Sequence, residues 1–581
     1  MIRRFLGRFL AVVGFFSLLI LAAIGTLVWW ALGEFERRTQ VELPPEAILV
    51  ADWRGGVPEK SRGLSGFGPF GPLPIDGKMA LPDVLLALDR AARDPRIKGL
   101  VVRTDGEGFG LGRAQELHAA VRRFADAGKF TAVFADSLGE LQGGMVGTYL
   151  ISAFDHVQLQ PLGTVALTGL SAEQPYFGRL LDDFGIERQI VQRDAYKTAL
   201  ESFDRSTPSP EQAETLARLL DGVFEQMVEA IAAARGLDRT TVQAAIDQGP
   251  LLGREALARG LIDEVAHEPE LWRLVQARAG TVERVGLERF ARAVSAEVET
   301  PAATIGFVHA VGPIRRGAEE RFGGRLEIAG DSLAQAIDAA REARVDALLL
   351  RVSSPGGSAV ASETAAAALR RARAAGIPVV VSMGDVAASG GYWIAMDADR
   401  IVASPMTLTG SIGVVAGKPA LGQLLERWGV DVAVERRGAN AGFGSLFEPW
   451  DERALGRVNA LLDDIYTSFV ERVASARNID QARVRNLAGG RVWTGEEALG
   501  NGLIDEAGGF IEALALARVL AGVAPDDLVT LQRFPPPRPP FLHILESFDL
   551  LTVSLAELQA MLGKLGGQGE LRLEAAPPTI R

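Results

Sequence analysis

The stretch "RVDALLLRVSSPGGSAV" (344–360) has a near-copy 248 residues upstream, "RIKGLVVRTDGEGFGLG" (96–112). Each starts at a charged turn, runs through unbroken apolar residues and ends in glycines before a helix-like segment. An apolar run without polar alternation reads as a strand buried on both faces of a parallel sheet. The surroundings repeat as well. "AILVADW" (47–53), "GLVVRT" (99–104) and "FTAVFA" (130–135) read as strands, separated by helical patterns at 81–94 and 113–128. In the second half "TIGFVHA" (304–310), "ALLLRV" (347–352) and "PVVVS" (378–382) take the same places, with a helical pattern at 331–343. "QPYFGRLLDDFG" (174–185) aligns with "KPALGQLLERWG" (418–429) at a spacing of 244, and "GLIDE" at 260–264 returns at 502–506, a spacing of 242. Blocks in one order at nearly constant spacing mark a tandem duplication of an α/β domain of roughly 240 residues.

The repeats divide the chain into residues 1–45, a first repeat at 46–298, a second at 299–532, and a tail at 533–581. The tail joins a proline-rich "RFPPPRPPF" (533–541) to an amphipathic pattern at 542–565. Of the 581 residues 48% are hydrophobic and 23% charged, the composition of a folded protein. A net charge of −12 argues against nucleic acid as a partner. The chain has no cysteine, which removes disulfides and thiolate metal sites; no metal and no cofactor are expected. From Phe9 to Gly33 no charge occurs, enough at about 1.5 Å per residue to cross a hydrocarbon layer of about 30 Å. Arg3, Arg4 and Arg8 precede this run, and Trp29 and Trp30 sit at its far end. Leading positive charge favours a cytoplasmic N-terminus. The expectation is a single-pass inner-membrane anchor with the body on the periplasmic side.

The duplication also compares the copies position by position. Ser389, in "MGDVAASGGYWIAM" (383–396), falls on Met145 in the first copy; Lys197, in "QRDAYKTALESF" (192–203), falls on Ala441 in the second. Each copy lacks the polar group that the other carries. A serine hydroxyl needs a base to become a nucleophile, and a desolvated, neutral lysine amine can be that base. None of the five histidines, His118, His156, His267, His309 and His543, lies in a glycine turn or in an aligned motif block, and His156 and His309 fall in apolar strand patterns. Acyl transfer also needs amides aimed at an oxyanion. The Pro355-Gly356-Gly357 turn before a helix supplies one at Gly357, and Gly390, next to Ser389, a second. Phe109 stands at the place of Gly357 in the first copy.

"SPGGS", "AASGGYWIAM", "TGSIGV" and "DAYKTALESF", in a duplicated chain with an apolar N-terminal run, resemble the signal peptide peptidase A family in its long form, also called protease IV. The resemblance implies a crotonase/Clp-protease-like fold and ATP-independent hydrolysis of signal peptides and other apolar peptides at the membrane. It also implies a homo-oligomer, a tetramer in the long form. It makes Ser389 the nucleophile, Lys197 the general base, and Ser411 the residue that orients the lysine amine. Two other readings compete: a crotonase-like acyl hydrolase or isomerase, which would use carboxylates near the glycine turn, and a catalytically silent membrane scaffold.

Overall fold

The computed structural model describes residues 42–61, 67–68, 71–72, 78–140, 143–280, 283–296, 301–319, 326–536 and 579–580. The apolar run at 9–33, His543 and the amphipathic pattern at 542–565 lie outside them. Among the described residues no helix is long and apolar enough to cross a membrane.

The first repeat begins with strand β1 (Ala47–Asp52), helix α1 (Leu81–Arg93), β2 (Ile97–Thr104), α2 (Leu111–Asp126), β3 (Phe130–Ala135), α3 (Gly144–Ile151) and β4 (His156–Leu159). It continues with β5 (Ala172–Glu173), β6 (Glu187–Gln192), the long α4 (Pro210–Arg235), β7 (Glu264–Val265) and β8 (Arg284–Gly286). Six of these strands form one parallel sheet in the order β7-β4-β3-β2-β1-β8.

The second repeat runs β9 (Thr304–Val311), α5 (Gly330–Glu342), β10 (Ala347–Ser354), α6 (Ala359–Ala374), β11 (Val379–Ala388), α7 (Gly390–Ala395) and β12 (Arg400–Ala403). There follow β13 (Leu408–Gly410), β14 (Val415–Ala420), α8 (Glu452–Arg477), β15 (Val492–Thr494), β16 (Glu506–Ala507), α9 (Phe510–Leu520) and β17 (Thr530–Phe534). Its sheet has eight strands, with the main path β15-β13-β11-β10-β9-β17. β12 pairs with the first half of β11 and with β16, so β11 serves β12 at Val380–Met383 and β13 at Val386–Ala388. That fork splits the sheet beside Ser389. β17, on the outer edge, runs two residues past the sequence boundary at 532.

Local chemistry explains the central elements. Seven of the eight residues of β10 are buried, as expected of a strand covered by helices on both faces. Ser358 caps α6, its hydroxyl accepting from the Ala361 amide at 3.3 Å, and a run of alanines carries the helix on. α4 and α8, each 26 residues long, start at capping side chains, Ser209 and Asp451.

The two repeats share one seam. α2 of the first lies on β11 and α9 of the second: Arg113 holds Asp385 at 2.6 Å, Arg123 holds Glu512 at 2.7 Å, and the Met406 amide donates to Gln115 at 2.7 Å. Beneath them Arg351 is wholly buried between Glu59 and Glu116 of the first repeat, at 2.7 and 2.6 Å. A second contact is a two-stranded ribbon in which β14 pairs antiparallel with β6.

Candidate active site

β11 ends at Ala388 and α7 starts at Gly390, leaving Ser389 alone at the corner. Its backbone has φ 54° and ψ −117°, a conformation that costs a non-glycine residue about 1–3 kcal/mol. The surroundings hold it there: its amide donates to Gly410 O at 2.8 Å and its carbonyl accepts from Trp393 N at 2.9 Å. Such a strained strand-to-helix corner presents a side chain outward, above the sheet. The small neighbours are required by close approach. A Cβ on Gly356 would stand 2.8 Å from Ser389 Cβ, and one on Gly391 2.8 Å from Ser354 O.

In the first repeat the same helix begins earlier, at Gly144, so Met145 is folded into its first turn and fully buried. Gly147 packs on Gly106 as Gly391 packs on Ser354, which keeps the spacing of 244 between the helices. The missing hydroxyl thus goes with a missing corner.

Lys197 comes from the loop after β6 and crosses the seam within the same chain. Its Nζ lies 3.1 Å from Ser389 Oγ, 2.9 Å from Ser411 Oγ and 2.9 Å from Ser411 O. Only 5% of the residue is exposed, and burial pushes its pKa down to about 7. No carboxylate offsets that desolvation, so the neutral amine is accessible near neutral pH. The loop is fastened to the second repeat on each side. Arg193 ties to Asp463 and to Asn459 of α8, and the Arg193 amide donates to Val414 O. Gly490 lies so close that a Cβ there would stand 2.4 Å from Lys197 Cα. Sequence reasoning missed the Gly489-Gly490 pair; the doublet in "NLAGGRVW" (486–493) was its only signal.

The glycine turn faces the same corner. Gly357 has φ 146°, and its neighbours bond to Ile314: Ile314 N donates to Gly356 O at 2.8 Å and Ser358 N to Ile314 O at 2.9 Å. Those bonds leave the Gly357 amide to one side. The Gly390 amide is the first of its helix and has no partner within it. Among the described residues neither amide donates to a protein acceptor. The Gly357 nitrogen lies 3.3 Å from where a Gly390 Cβ would be, so the two residues lie close together beside Ser389.

The other candidates lie elsewhere. His309 contacts Glu59, His118 stacks on Tyr149 and contacts Ser152, and His156 faces Glu264. His267 precedes a helix at Glu268. Among the described residues no histidine bonds to Ser389. The carboxylate nearest in sequence, Asp385, is consumed by the Arg113 amide and guanidinium. Ala441, the mate of Lys197, lies in an exposed turn.

Known proteins resemble this chain over most of its length. The model of Peptidase family S49 matches residues 141–281 and 371–524. "Protease 4" of Salmonella typhi is 32% identical over 528 residues, covering 87% of this chain and 83% of its own. "Serine protease SPPA, chloroplastic" of Arabidopsis thaliana is 30% identical, covering 84% of this chain and 71% of its own. Among solved structures, a serine-to-alanine mutant of the 1510-N membrane-bound stomatin-specific protease matches 41% of this chain and 100% of its own at 18% identity, with a TM-score of 0.26. With the family model covering half of the chain and relatives at this identity over most of it, the chain belongs to peptidase family S49.

Proposed function

We propose that this peptidase works through a Ser389–Lys197 dyad assembled across the two repeats. The observation that carries the reading is the 3.1 Å contact between a desolvated lysine amine and a serine hydroxyl at a strained corner. Neutral Lys197 takes the Ser389 proton as Oγ attacks the scissile carbonyl. Negative charge develops on the carbonyl oxygen, and the Gly357 and Gly390 amides receive it. The ammonium then gives its proton to the leaving amine. A water, deprotonated by Lys197, releases the acyl group and restores the serine. Ser411 accepts from Lys197 Nζ through its hydroxyl and its carbonyl, which points the lone pair at Ser389. No step uses ATP, a metal or a cofactor.

The substrates in this reading are cleaved signal peptides and other apolar, extended peptides, in keeping with the glycine- and alanine-rich corner that lets a peptide backbone approach. The uncharged run at 9–33 and its leading arginines support an inner-membrane anchor and a periplasmic body. The fold class in this reading is Clp/crotonase-like, and the chain works as a homo-oligomer.

The test is labelling with a fluorophosphonate probe. Wild type should label at Ser389, and Lys197→Ala should lose the label. Labelling that persists at full rate without Lys197 would refute the dyad; no labelling of the wild type would favour the silent-scaffold reading.

A further inference from the structure

The two repeats start the same helix in different ways. α6 carries its own cap, the Ser358 hydroxyl that accepts from the Ala361 amide. At the spacing of 248 these residues correspond to Gly110 and Arg113 at the start of α2. Gly110 has no side chain to offer, and the Arg113 amide donates instead to Asp385 Oδ1 of β11, at 2.9 Å. The cap of α2 therefore comes from the other repeat. Arg113 Nε completes the clasp on Asp385 Oδ2 at 2.6 Å, and its Nη1 donates to Val57 O at 2.9 Å. A carboxylate in this place also meets the positive end of the helix dipole.

The glycine is there for this carboxylate. Gly110 has φ −84° and ψ 167°, an extended conformation open to any residue, so its backbone does not ask for glycine. A Cβ built on it would fall within 2.5 Å of Asp385 Cγ and both carboxylate oxygens. The Asp385 carboxylate thus fills the space in which a capping side chain at position 110 would stand. The arrangement runs one way, because the mate of Asp385 at the spacing of 244 is Leu141, which has no carboxylate.

Asp385 also sits where β11 leaves regular pairing. Against β10, Val352 lies opposite Met383 and Ser354 opposite Ala387, so residues 384–386 bulge opposite Ser353. A bulge bends its strand and re-aims the side chains that follow. Here the segment that follows, paired with β13 at Val386–Ala388, leads directly into Ser389. Two side chains hold the bulge: Thr407 Oγ1 donates to Gly384 O at 2.8 Å, and Arg113 holds Asp385.

We propose that Asp385 is a positioning residue: as the cap of α2 it pins the bulge of β11 to the first repeat and so sets where Ser389 stands. This rests on the reading of Ser389 as the nucleophile. Asp385 acts through the backbone of β11 and not on the reacting atoms.

The test separates capping from positioning in the full chain. Asp385→Ala should lower kcat for a peptide substrate, and the rate of fluorophosphonate labelling at Ser389, by about tenfold to a hundredfold with KM little changed, as a shifted nucleophile does. It should also lower the urea midpoint, since α2 loses its cap. Gly110→Ala, which drives the carboxylate out from the other side, should lower turnover in the same way. Adding Gly110→Ser to Asp385→Ala gives α2 the cap that α6 has, in the space the carboxylate has left. This pair should recover the urea midpoint while turnover and labelling stay low, because the tie to β11 is still missing. If turnover returns together with the midpoint, Asp385 is only a helix cap and the proposal falls. It falls too if Asp385→Ala keeps wild-type kcat. Should Asp385→Ala not fold alone, the recapped pair carries the comparison with wild type. Lys197→Ala run alongside keeps the two readings apart. Full labelling without the lysine overturns the dyad, whereas lost labelling there with a normal Asp385→Ala overturns this inference alone.

Discussion

At the residue scale, the proposed mechanism rests on keeping an amine dry. Burial alone brings Lys197 down to about 7, so the basic form gains as pH rises through that value and is lost below it. kcat/KM for peptide hydrolysis, measured from pH 5 to 10, should climb about tenfold per unit on the acid limb and level off above about 7. Ser389→Ala and Lys197→Ala should each lower turnover by at least about a thousandfold. The double variant should be little worse than either, because in the proposed mechanism the two form one proton-transfer unit. Ser411→Ala removes one of the two acceptors on the amine and should cost up to about a hundredfold in kcat with KM little changed. If the Lys197→Ala variant keeps near-normal kcat, another base serves Ser389.

At the element scale, the site depends on where strands stop. β11 ends one residue before α7 begins, and β13 and β12 pair with different halves of it, which opens the sheet beside the corner. The lysine loop has no regular structure of its own and takes its shape from the elements it touches. Gly490 is the tightest of these contacts, with φ 89° and no room for a Cβ. Gly490→Ala should therefore destabilise the fold by about 1–3 kcal/mol, read from urea unfolding, and displace Lys197 enough to depress turnover. A fully active, equally stable Gly490→Ala enzyme would show that this contact does not hold the loop. Gly357 makes the same demand in the glycine turn, where a Cβ would strike Ile314 O at 2.1 Å.

At the scale of the whole molecule, the proposed dyad is divided between the two repeats, and a buried charge cluster also joins them. Arg351 of the second sits wholly buried on Glu59 and Glu116 of the first, and it also donates to Ser382 and the Met383 carbonyl of β11. Burial, with the neighbouring Glu59 charge, pushes Glu116 up to about 7 even against this guanidinium. Arg351→Ala would leave two carboxylates in the seam without their cation and should cost about 3–5 kcal/mol in unfolding free energy. A loss below about 1 kcal/mol would mean that the carboxylates simply protonate. Ser389 and Lys197 meet within one chain. Mixing Ser389→Ala chains with Lys197→Ala chains during assembly should therefore restore no activity, and recovered turnover would require a lysine supplied by a neighbour.

Much of this was legible without coordinates, for a definite reason. Burial on both faces makes the central runs of β10 (347–350) and its twin β2 (99–102) apolar without alternation, so the strands and their duplication show in the residue order itself. Close approach forces glycine, so Gly356, Gly357 and Gly390 mark the corner. Comparing the copies then singled out Ser389 and Lys197, since each lacks a counterpart in the other repeat. Tertiary structure alone decided that the serine and the lysine, 192 residues apart, come within 3.1 Å in one chain. It alone showed the burial that depresses the lysine and the Gly490 contact that seats it. These depend on how one repeat lies across the other, and no local pattern of residue types encodes a distance between distant segments.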